Sequence, residues 1–483
     1  MNCVLEISDE VNVRFQGLDA GTRRKLTSAV EFFLPHAKFT PAYKLGRWNG
    51  MSSLCDVGGR TYFHLLDQLL PIVMDADYEL EVVDRRQKWD LSLDAVQEDS
   101  FSHIMWPPKH RFAGQPIMLR DYQVTAINNF LENPQSVQVM ATGAGKTIVT
   151  AALSERCEKI GRTIVIVPNK DLVVQTEKDY INLGLNVGVL YGDRKDYDRT
   201  HTICTWQSLE VMRKKTKAGE APIDIDVFLD NVVCIMVDEV HKAKADVLME
   251  LLTGPFANVP IRWGLTGTLP EEEHEKLKLL ATLGPCEGAL TSAELQDMGV
   301  LARLDISVLQ LQDVVREFKN YQEELKWLTT DQGRLRALSD IVNQYAQNGN
   351  TLLLIDRIAT GDMLAEWNPD WEFVSGATKQ ADRQEQYDSI SDSDNKVIVA
   401  TYGVAAVGLN IPRIFNLAML EPGKSFIRVI QSIGRGIRKA EDKDYVDVID
   451  ICGATKYSKR HLTKRKKFYK EQKFPFTVTK VKY

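Results

Sequence analysis

From Leu119 onward, strand-like apolar runs alternate with amphipathic stretches. Thr163 to Val167, Thr202 to Cys204, Val232 to Val237 and Arg262 to Leu265 are the runs, and the stretches between them have helical spacing. This is the alternation of βα units wound about a parallel sheet. A hinge-like segment, Thr291 to Leu304, follows. The pattern then restarts with a helical stretch (Asp331 to Gln347) and the runs Thr351 to Ile355, Val397 to Ala400, Leu417 to Leu420 and Tyr445 to Ile451. A second α/β domain of similar size is predicted. Ahead of both, short strand-like runs (Cys3 to Ile7, Arg60 to His64, Tyr78 to Val83) and one helix-like segment (Arg23 to Leu34) predict a small α+β module. Trp106-Pro107-Pro108 and Gly114-Gln115-Pro116 break regular structure and mark a linker. The expected organisation is an accessory domain over 1–95, a linker over 96–116, α/β domains over 117–300 and 301–455, and a tail over 456–483.

The 483 residues, 44% of them hydrophobic, suffice for several cores. No apolar run approaches the roughly 20 residues that span a bilayer, and the first residues carry neither a basic nor an apolar leader, so a soluble, cytoplasmic protein is expected with no membrane partner. The seven cysteines are scattered without a CxxC pair and predict reduced core residues, with neither a zinc site nor a disulfide frame. A formal net charge of −6 argues weakly against a polyanionic partner until it is divided along the chain. The tail from Lys456 carries +10, with eleven Lys/Arg against Glu471 alone, and the preceding residues −16. That asymmetry points to phosphate contacts by the tail.

Candidate chemistry concentrates at the ends of the predicted strands. Ala141-Thr142-Gly143-Ala144-Gly145-Lys146-Thr147 lies between an apolar run and a helix-compatible stretch. Glycines let backbone N–H groups close around phosphate oxygens at a helix N-terminus. Thr142, Gly143, Ala144 and Gly145 are therefore expected to cradle a nucleotide, Lys146 to charge-pair with its phosphates, and the Thr147 hydroxyl to ligate Mg²⁺. The strict pattern wants glycine where this chain has Met140. Val232 to Val237 delivers Asp238-Glu239-Val240-His241. Asp238 is expected to hold the metal and Glu239 to activate water. Upstream, Arg120 and Gln123 stand at a helix start, and the Gln123 amide suits an adenine edge.

Further strand ends carry Pro168-Asn169-Lys170 and Thr205-Trp206-Gln207. Pro168, Lys170, Thr205 and Gln207 are candidate contacts to a nucleic-acid backbone. Thr266-Gly267-Thr268 offers two hydroxyls near the expected place of His241, and these three are candidates for coupling hydrolysis to movement. In the second domain, Thr401 and the stretch to Gly408-Leu409-Asn410 follow a strand, and Gln431 to Arg438 opens a predicted helix. Arg435 and Arg438, three residues apart, share one face of it, and arginine suits a triphosphate in transition.

The ordered series Gln123, Gly143 to Thr147, Asp238 to His241, Thr266 to Thr268, Thr401 to Asn410 and Gln431 to Arg438 resembles the motif set of superfamily 2 helicases. The resemblance covers about residues 119 to 440. It implies two RecA-like parallel-sheet domains in tandem, preceded by the small α+β domain and followed by a short basic helical tail. ATP and Mg²⁺ would bind between the domains, with Lys146, Glu239, Gln431, Arg435 and Arg438 catalytic and Gly408 at the nucleotide. Phe39 to Gly50, including Arg47 and Trp48, is similar to the leading domain of phage UvsW-type DNA helicases. That similarity implies DNA contacts by Arg47 and Trp48, a host-cytoplasm location, and fork or junction remodelling in replication, recombination and repair. Single-stranded and branched duplex DNA are the implied partners, with RNA–DNA hybrids and a single-strand-binding protein as further ones. Two alternatives stay open: an RNA helicase, which shares the motor core, and an ATP-gated nucleic-acid clamp without unwinding.

Overall fold

The computed structural model describes residues 2–108, 112–141, 143–240, 245–270, 272–301, 303–314, 316–376, 390, 393–404, 413–423 and 445–483. They form two compact units, Met1–Met140 with Gly145–Ala289, and Leu290–Tyr483 with Ala141–Ala144. No helix among the described residues is long and apolar enough to cross a membrane.

The first unit is built on an eight-stranded sheet. Its order is Arg194–Asp196, Val187–Tyr191, His201–Thr205, Arg162–Val167, Val232–Asp238, Ile261–Thr266, Gln135–Met140 and Cys286–Leu290. The strands from Val187–Tyr191 to Gln135–Met140 run parallel, and Arg194–Asp196 folds back antiparallel on its neighbour. The central runs are continuously apolar because helices cover both faces of such a sheet. Ile164, Ile166, Ile235, Val237 and Leu265 are all buried there. The helix Lys146–Cys157 buries Ala151, Ala152 and Ser154 completely. These small side chains let it lie close to the strands Val232–Asp238 and Arg162–Val167.

The amino-terminal module belongs to this first unit. Its sheet has the order Arg60–Tyr62, Asn12–Gln16, Asn2–Ile7 and Glu79–Asp84, with Asn2–Ile7 parallel to Glu79–Asp84 and the other pairs antiparallel. A helix expected over Arg23 to Leu34 is instead a helix at Ala20–Ala29 followed by a strand at Glu31–Phe33. Asp19 starts the helix early by accepting from the Gly21 and Thr22 amides at 2.6 and 3.0 Å. Pairing of Glu31–Phe33 with Met51–Ser53 then overrides the local helical pattern.

The module is fastened where the central strands begin. His64 Nε2 donates to Gln135 Oε1 at 2.7 Å, and Gln135 Nε2 donates to Glu10 Oε2 at 3.0 Å. The Glu10 amide donates to the Ala257 carbonyl at 3.1 Å and Asn12 Nδ2 to the Thr253 carbonyl at 2.9 Å. Phe32 stacks on His274 with ring centroids 5.8 Å apart, and Lys278 Nζ lies over Phe32 at 5.6 Å. Beside this junction the buried Arg262 donates to the Thr282, Phe256 and Leu252 carbonyls at 2.8, 2.6 and 2.7 Å. Burial pushes its pKa down to about 10, so it stays charged at neutral pH.

The second unit is a seven-stranded, all-parallel sheet. Its order is Glu372–Val374, Val397–Thr401, Thr351–Ile355, Asn416–Leu420, Tyr445–Gly453, Arg303–Leu311 and Phe476–Val481. The helix expected in the basic tail is present at Lys456–Glu471, and the chain beyond it continues as the edge strand Phe476–Val481. Buried charge locks the tail to the sheet. Arg465 Nε and Nη2 donate to the two Asp450 oxygens at 2.8 and 2.9 Å, and Tyr469 Oη donates to Asp450 at 2.8 Å. Glu324 stands at the N-terminus of the tail helix, accepting from Thr455 Oγ1 and the Tyr457 and Ser458 amides at 2.7 to 2.9 Å. A carboxylate there satisfies orphan donors and opposes the helix dipole. The buried Arg334 links Asp313 with Glu421, whose Oε1 is 2.6 Å from Nη2.

Candidate nucleotide site and nucleic-acid surfaces

In the first sheet, Val232–Asp238, Ile261–Thr266 and Gln135–Met140 are consecutive neighbours. Asp238 is level with Leu265, and Thr266 with Val139. Their carboxyl ends therefore bring three predicted motifs to one edge, where open α/β sheets hold ligands.

The loop after Gln135–Met140 takes up left-handed backbone at Gly143 (φ +93°) and Gly145 (φ +83°). At Gly145 the left-handed backbone strains any residue with a side chain, and a Cβ there, 2.5 Å from Gln123 Nε2, would also oblige that amide to move. Met140, where the strict pattern has glycine, is the buried last residue of its strand and is not among the positive-φ residues. A side chain is accommodated there, which accounts for the departure.

Lys146 and Glu239 meet at the centre. Lys146 Nζ lies 2.8 Å from Glu239 Oε1 and 3.4 Å from the Met140 carbonyl oxygen. Both side chains are about nine-tenths buried, so water screens the pair weakly. Glu239 is itself left-handed (φ +54°), a conformation costing a residue with a side chain about 1–2 kcal/mol. The turn carries the chain off the strand immediately after Asp238, and stored backbone strain of this kind clusters at functional sites.

Thr266 is fully buried, and its hydroxyl donates to the Thr268 carbonyl at 2.7 Å while facing the Thr268 amide at 3.4 Å. The hydroxyl thus holds its own turn. Gln123 is also engaged locally, its Oε1 accepting from the Arg120 amide at 3.0 Å to cap the helix Asp121–Glu132. The Arg120 guanidinium donates to Tyr122 Oη at 2.8 Å. Sequence motifs gave no signal for the Met140 carbonyl beside Lys146 or for the contact of Gln123 with Gly145, because both depend on three-dimensional closure of the loop.

The predicted backbone-contacting residues lie elsewhere on the same edge. Arg162–Val167 and His201–Thr205 are adjacent, with Thr205 level with Val167, so the segments that carry Pro168 to Lys170 and Thr205 to Gln207 leave the sheet from neighbouring strands. Lys170 and Gln207 are exposed. Thr205 is buried and caps the helix Trp206–Ala218 through the Ser208 amide at 3.3 Å, and Trp206 packs on the domain core. Thr401 ends Val397–Thr401 in the second unit. Arg47 is exposed in the amino-terminal module, whereas Trp48 donates Nε1 to the Met51 carbonyl at 2.8 Å and so braces its own turn. Thr142, His241, Gly408, Gln431, Arg435 and Arg438 lie outside the described residues.

The tail helix presents one continuous basic stripe. Lys456, Lys459, Arg460, Lys464, Lys467 and Lys470 are all exposed and, apart from the adjacent Lys459 and Arg460, follow one another at three or four residues. At about 1.5 Å rise per residue the stripe extends roughly 20 Å. Lys480 and Lys482 add exposed charge at the edge strand, which also discourages edge-to-edge pairing.

Comparison with known proteins finds two family models in chain order. Residues 116–271 match the type III restriction enzyme res subunit model, and residues 333–440 match the helicase conserved C-terminal domain model. The ATP-dependent DNA helicase uvsW of Enterobacteria phage T4 is 23% identical over 97% of this chain and 94% of its own length. The DNA 3'-5' helicase XPB of Kineococcus radiotolerans is 24% identical over 74% of this chain, which spans 64% of that relative. Among solved structures, the ATP-dependent type ISP restriction-modification enzyme LlaBIII bound to DNA superposes with a TM-score of 0.55 at 16% identity, over 83% of this chain and 33% of that one. That likeness concerns the fold.

Proposed function

Since this chain is a superfamily 2 helicase related to phage UvsW, an ATP-dependent motor acting on nucleic acid, we propose that its substrate is branched DNA, whose forks and junctions it unwinds or migrates. The observation that carries the motor chemistry is the buried Lys146–Glu239 pair at the carboxyl edge of the first sheet. ATP phosphates, with their greater charge, draw the Lys146 ammonium away from Glu239. The released carboxylate then accepts a proton from the attacking water. Nucleotide binding and activation of the base are in this way one event.

Thr147 and Asp238 offer a hydroxyl and a carboxylate oxygen, donors of the hard kind that suit Mg²⁺. Mg²⁺ held there would neutralise charge developing on the phosphates. Arg435 and Arg438 from the second domain would stabilise the same charge, Gln431 and Gly408 would complete the nucleotide contacts, and His241 with Thr266 and Thr268 would pass closure on to the strand-contacting loops. Pro168, Lys170, Thr205, Gln207 and Thr401 would track one DNA strand through its phosphates, without reading sequence. Arg47 and the Lys456–Lys470 stripe would hold duplex arms.

The test is displacement of a labelled strand from a DNA fork, a four-way DNA junction, a linear DNA duplex and an RNA duplex, with ATP and Mg²⁺. The reading expects the two branched DNAs to be processed first. Preference for the RNA duplex would establish the RNA-helicase alternative, and ATP-dependent binding to DNA with neither hydrolysis nor displacement would establish the clamp.

A further inference from the structure

Residues 34–50 form an outgrowth that half-buries Leu34, Tyr43 and Trp48 but leaves two large apolar side chains in water. Phe39 is 80% exposed and Leu45 66% exposed, while Phe15, Phe32 and Phe130 of the same unit are buried. The loop is braced from within. Pro35 and Pro41 begin its two short helical turns, Thr40 Oγ1 donates to the Ala37 carbonyl at 2.8 Å, and the Leu34 amide closes the base on the Gly50 carbonyl at 2.9 Å. Gly50 (φ +81°) sits so tightly on Phe33 that a Cβ would fall 2.4 Å from its ring. Tyr43 packs edge-on against the same ring at 5.9 Å. A fold that braces a loop in this way and leaves Phe39 and Leu45 in water is presenting them.

Charge selects the kind of partner. Residues 34–50 contain no acid and carry Lys38, Lys44 and Arg47, all exposed. An aromatic and an aliphatic side chain ringed by cations complement the end of a nucleic-acid duplex, where a base-pair face is apolar and its flanking phosphates are negative. The mounting supports the same choice over a membrane surface. The loop springs from the hairpin Glu31–Phe33 and Met51–Ser53, and Phe32 of that hairpin is stacked on His274 and capped by Lys278 of the helix Glu273–Leu283. The same module is bonded through His64 and Glu10 to Gln135, the first residue of the strand that delivers the phosphate loop. A loop fixed to the motor in this way moves with it.

We propose that the 34–50 loop is the strand-separating wedge, with Phe39 stacking on the last base pair at a DNA branch point and Leu45 filling the space vacated by the displaced base. This rests on the translocase reading above. Each step of the motor presses a fixed apolar edge against the fork, and the cations hold the parted backbones.

The test uses the full chain, a Phe39→Ala/Leu45→Ala variant, and a fork carrying 2-aminopurine in its last base pair. Both side chains are exposed, so the variant keeps the fold. Expected are hydrolysis stimulated by single-stranded DNA within about twofold of wild type and fork unwinding reduced about tenfold, the scale of one lost base–aromatic stack. The ATP-independent 2-aminopurine signal on binding should disappear, and Phe39→Trp should restore both. Unwinding at the wild-type rate would overturn the proposal. So would an equal loss of hydrolysis and unwinding, or a loop that binds phosphatidylserine vesicles while leaving fork unwinding unchanged. A wild-type chain that hydrolyses ATP without any response to DNA would refute the underlying translocase reading, a failure distinct from these.

Discussion

Lys146 Nζ and Glu239 Oε1 stand 2.8 Å apart, joining two sequence elements separated by 93 positions in a nearly buried ion pair. The pair gives each group a role that the other regulates. Glu239→Gln removes the negative partner of Lys146 while keeping its shape. Binding of a fluorescent ATP analogue should be retained or tightened, and turnover should fall at least about 10³-fold. Lys146→Ala should lose both, since it removes the proposed phosphate contact and the ammonium that stands 2.8 Å from Glu239. Turnover by the Gln variant within tenfold of wild type would remove Glu239 as the base.

The tail should contribute to the stability of the second unit as well as to binding. Arg465→Met leaves Asp450 buried with only Tyr469 donating to it. The expected cost is about 3–5 kcal/mol, measurable by urea unfolding. A loss below about 1 kcal/mol would mean that Asp450 finds another hydrogen-bond donor in the variant.

Exposed cations on the same helix should act in the opposite manner. Replacing Lys456, Lys459, Lys464 and Lys467 together by Gln should leave the unfolding midpoint nearly unchanged, because all four are exposed. The slope of log affinity for duplex DNA against log salt should flatten by up to about 4. An unchanged slope would place the duplex arms elsewhere.

Acid should loosen the junction between the amino-terminal module and the first sheet. Burial, with Arg262 adding to it, holds the His64 pKa below its usual 6.5, against the opposing effects of the Gln135 bond and Asp67. The folded protein therefore resists a proton that the unfolded chain accepts. Stability is fully present above pH 6.5 and declines as pH falls from there towards the lower folded value. Melting temperatures followed from about pH 8 to about pH 5.5 should show a smaller acid decline in His64→Gln than in wild type. Identical profiles would exclude His64 as a contributor.

The sheets were legible in the sequence because their central strands are covered on both faces. Val232 to Val237 and Thr351 to Ile355 are short apolar runs of strand length, and both are buried strands. What was hidden depended on distant partners. Glu31–Phe33 resembles the end of a helix until Met51–Ser53 pairs with it, and Phe476–Val481 is a strand only because Arg303–Leu311 offers an edge. Arg262 interrupts an apolar run and gives no local hint that three carbonyls enclose it. At the site, spacing supplied the residue types. The turn at Glu239 that brings its carboxylate to Lys146 is a backbone property with no sequence signature, since glutamate is not a residue that favours positive φ.

The most direct test of a branched-DNA motor is steady-state ATP hydrolysis at low and moderate salt with no nucleic acid, single-stranded DNA, a DNA fork, a four-way junction or single-stranded RNA. The account predicts strong stimulation by DNA, greatest with the branched forms and weaker at higher salt. Stimulation by RNA alone would contradict it.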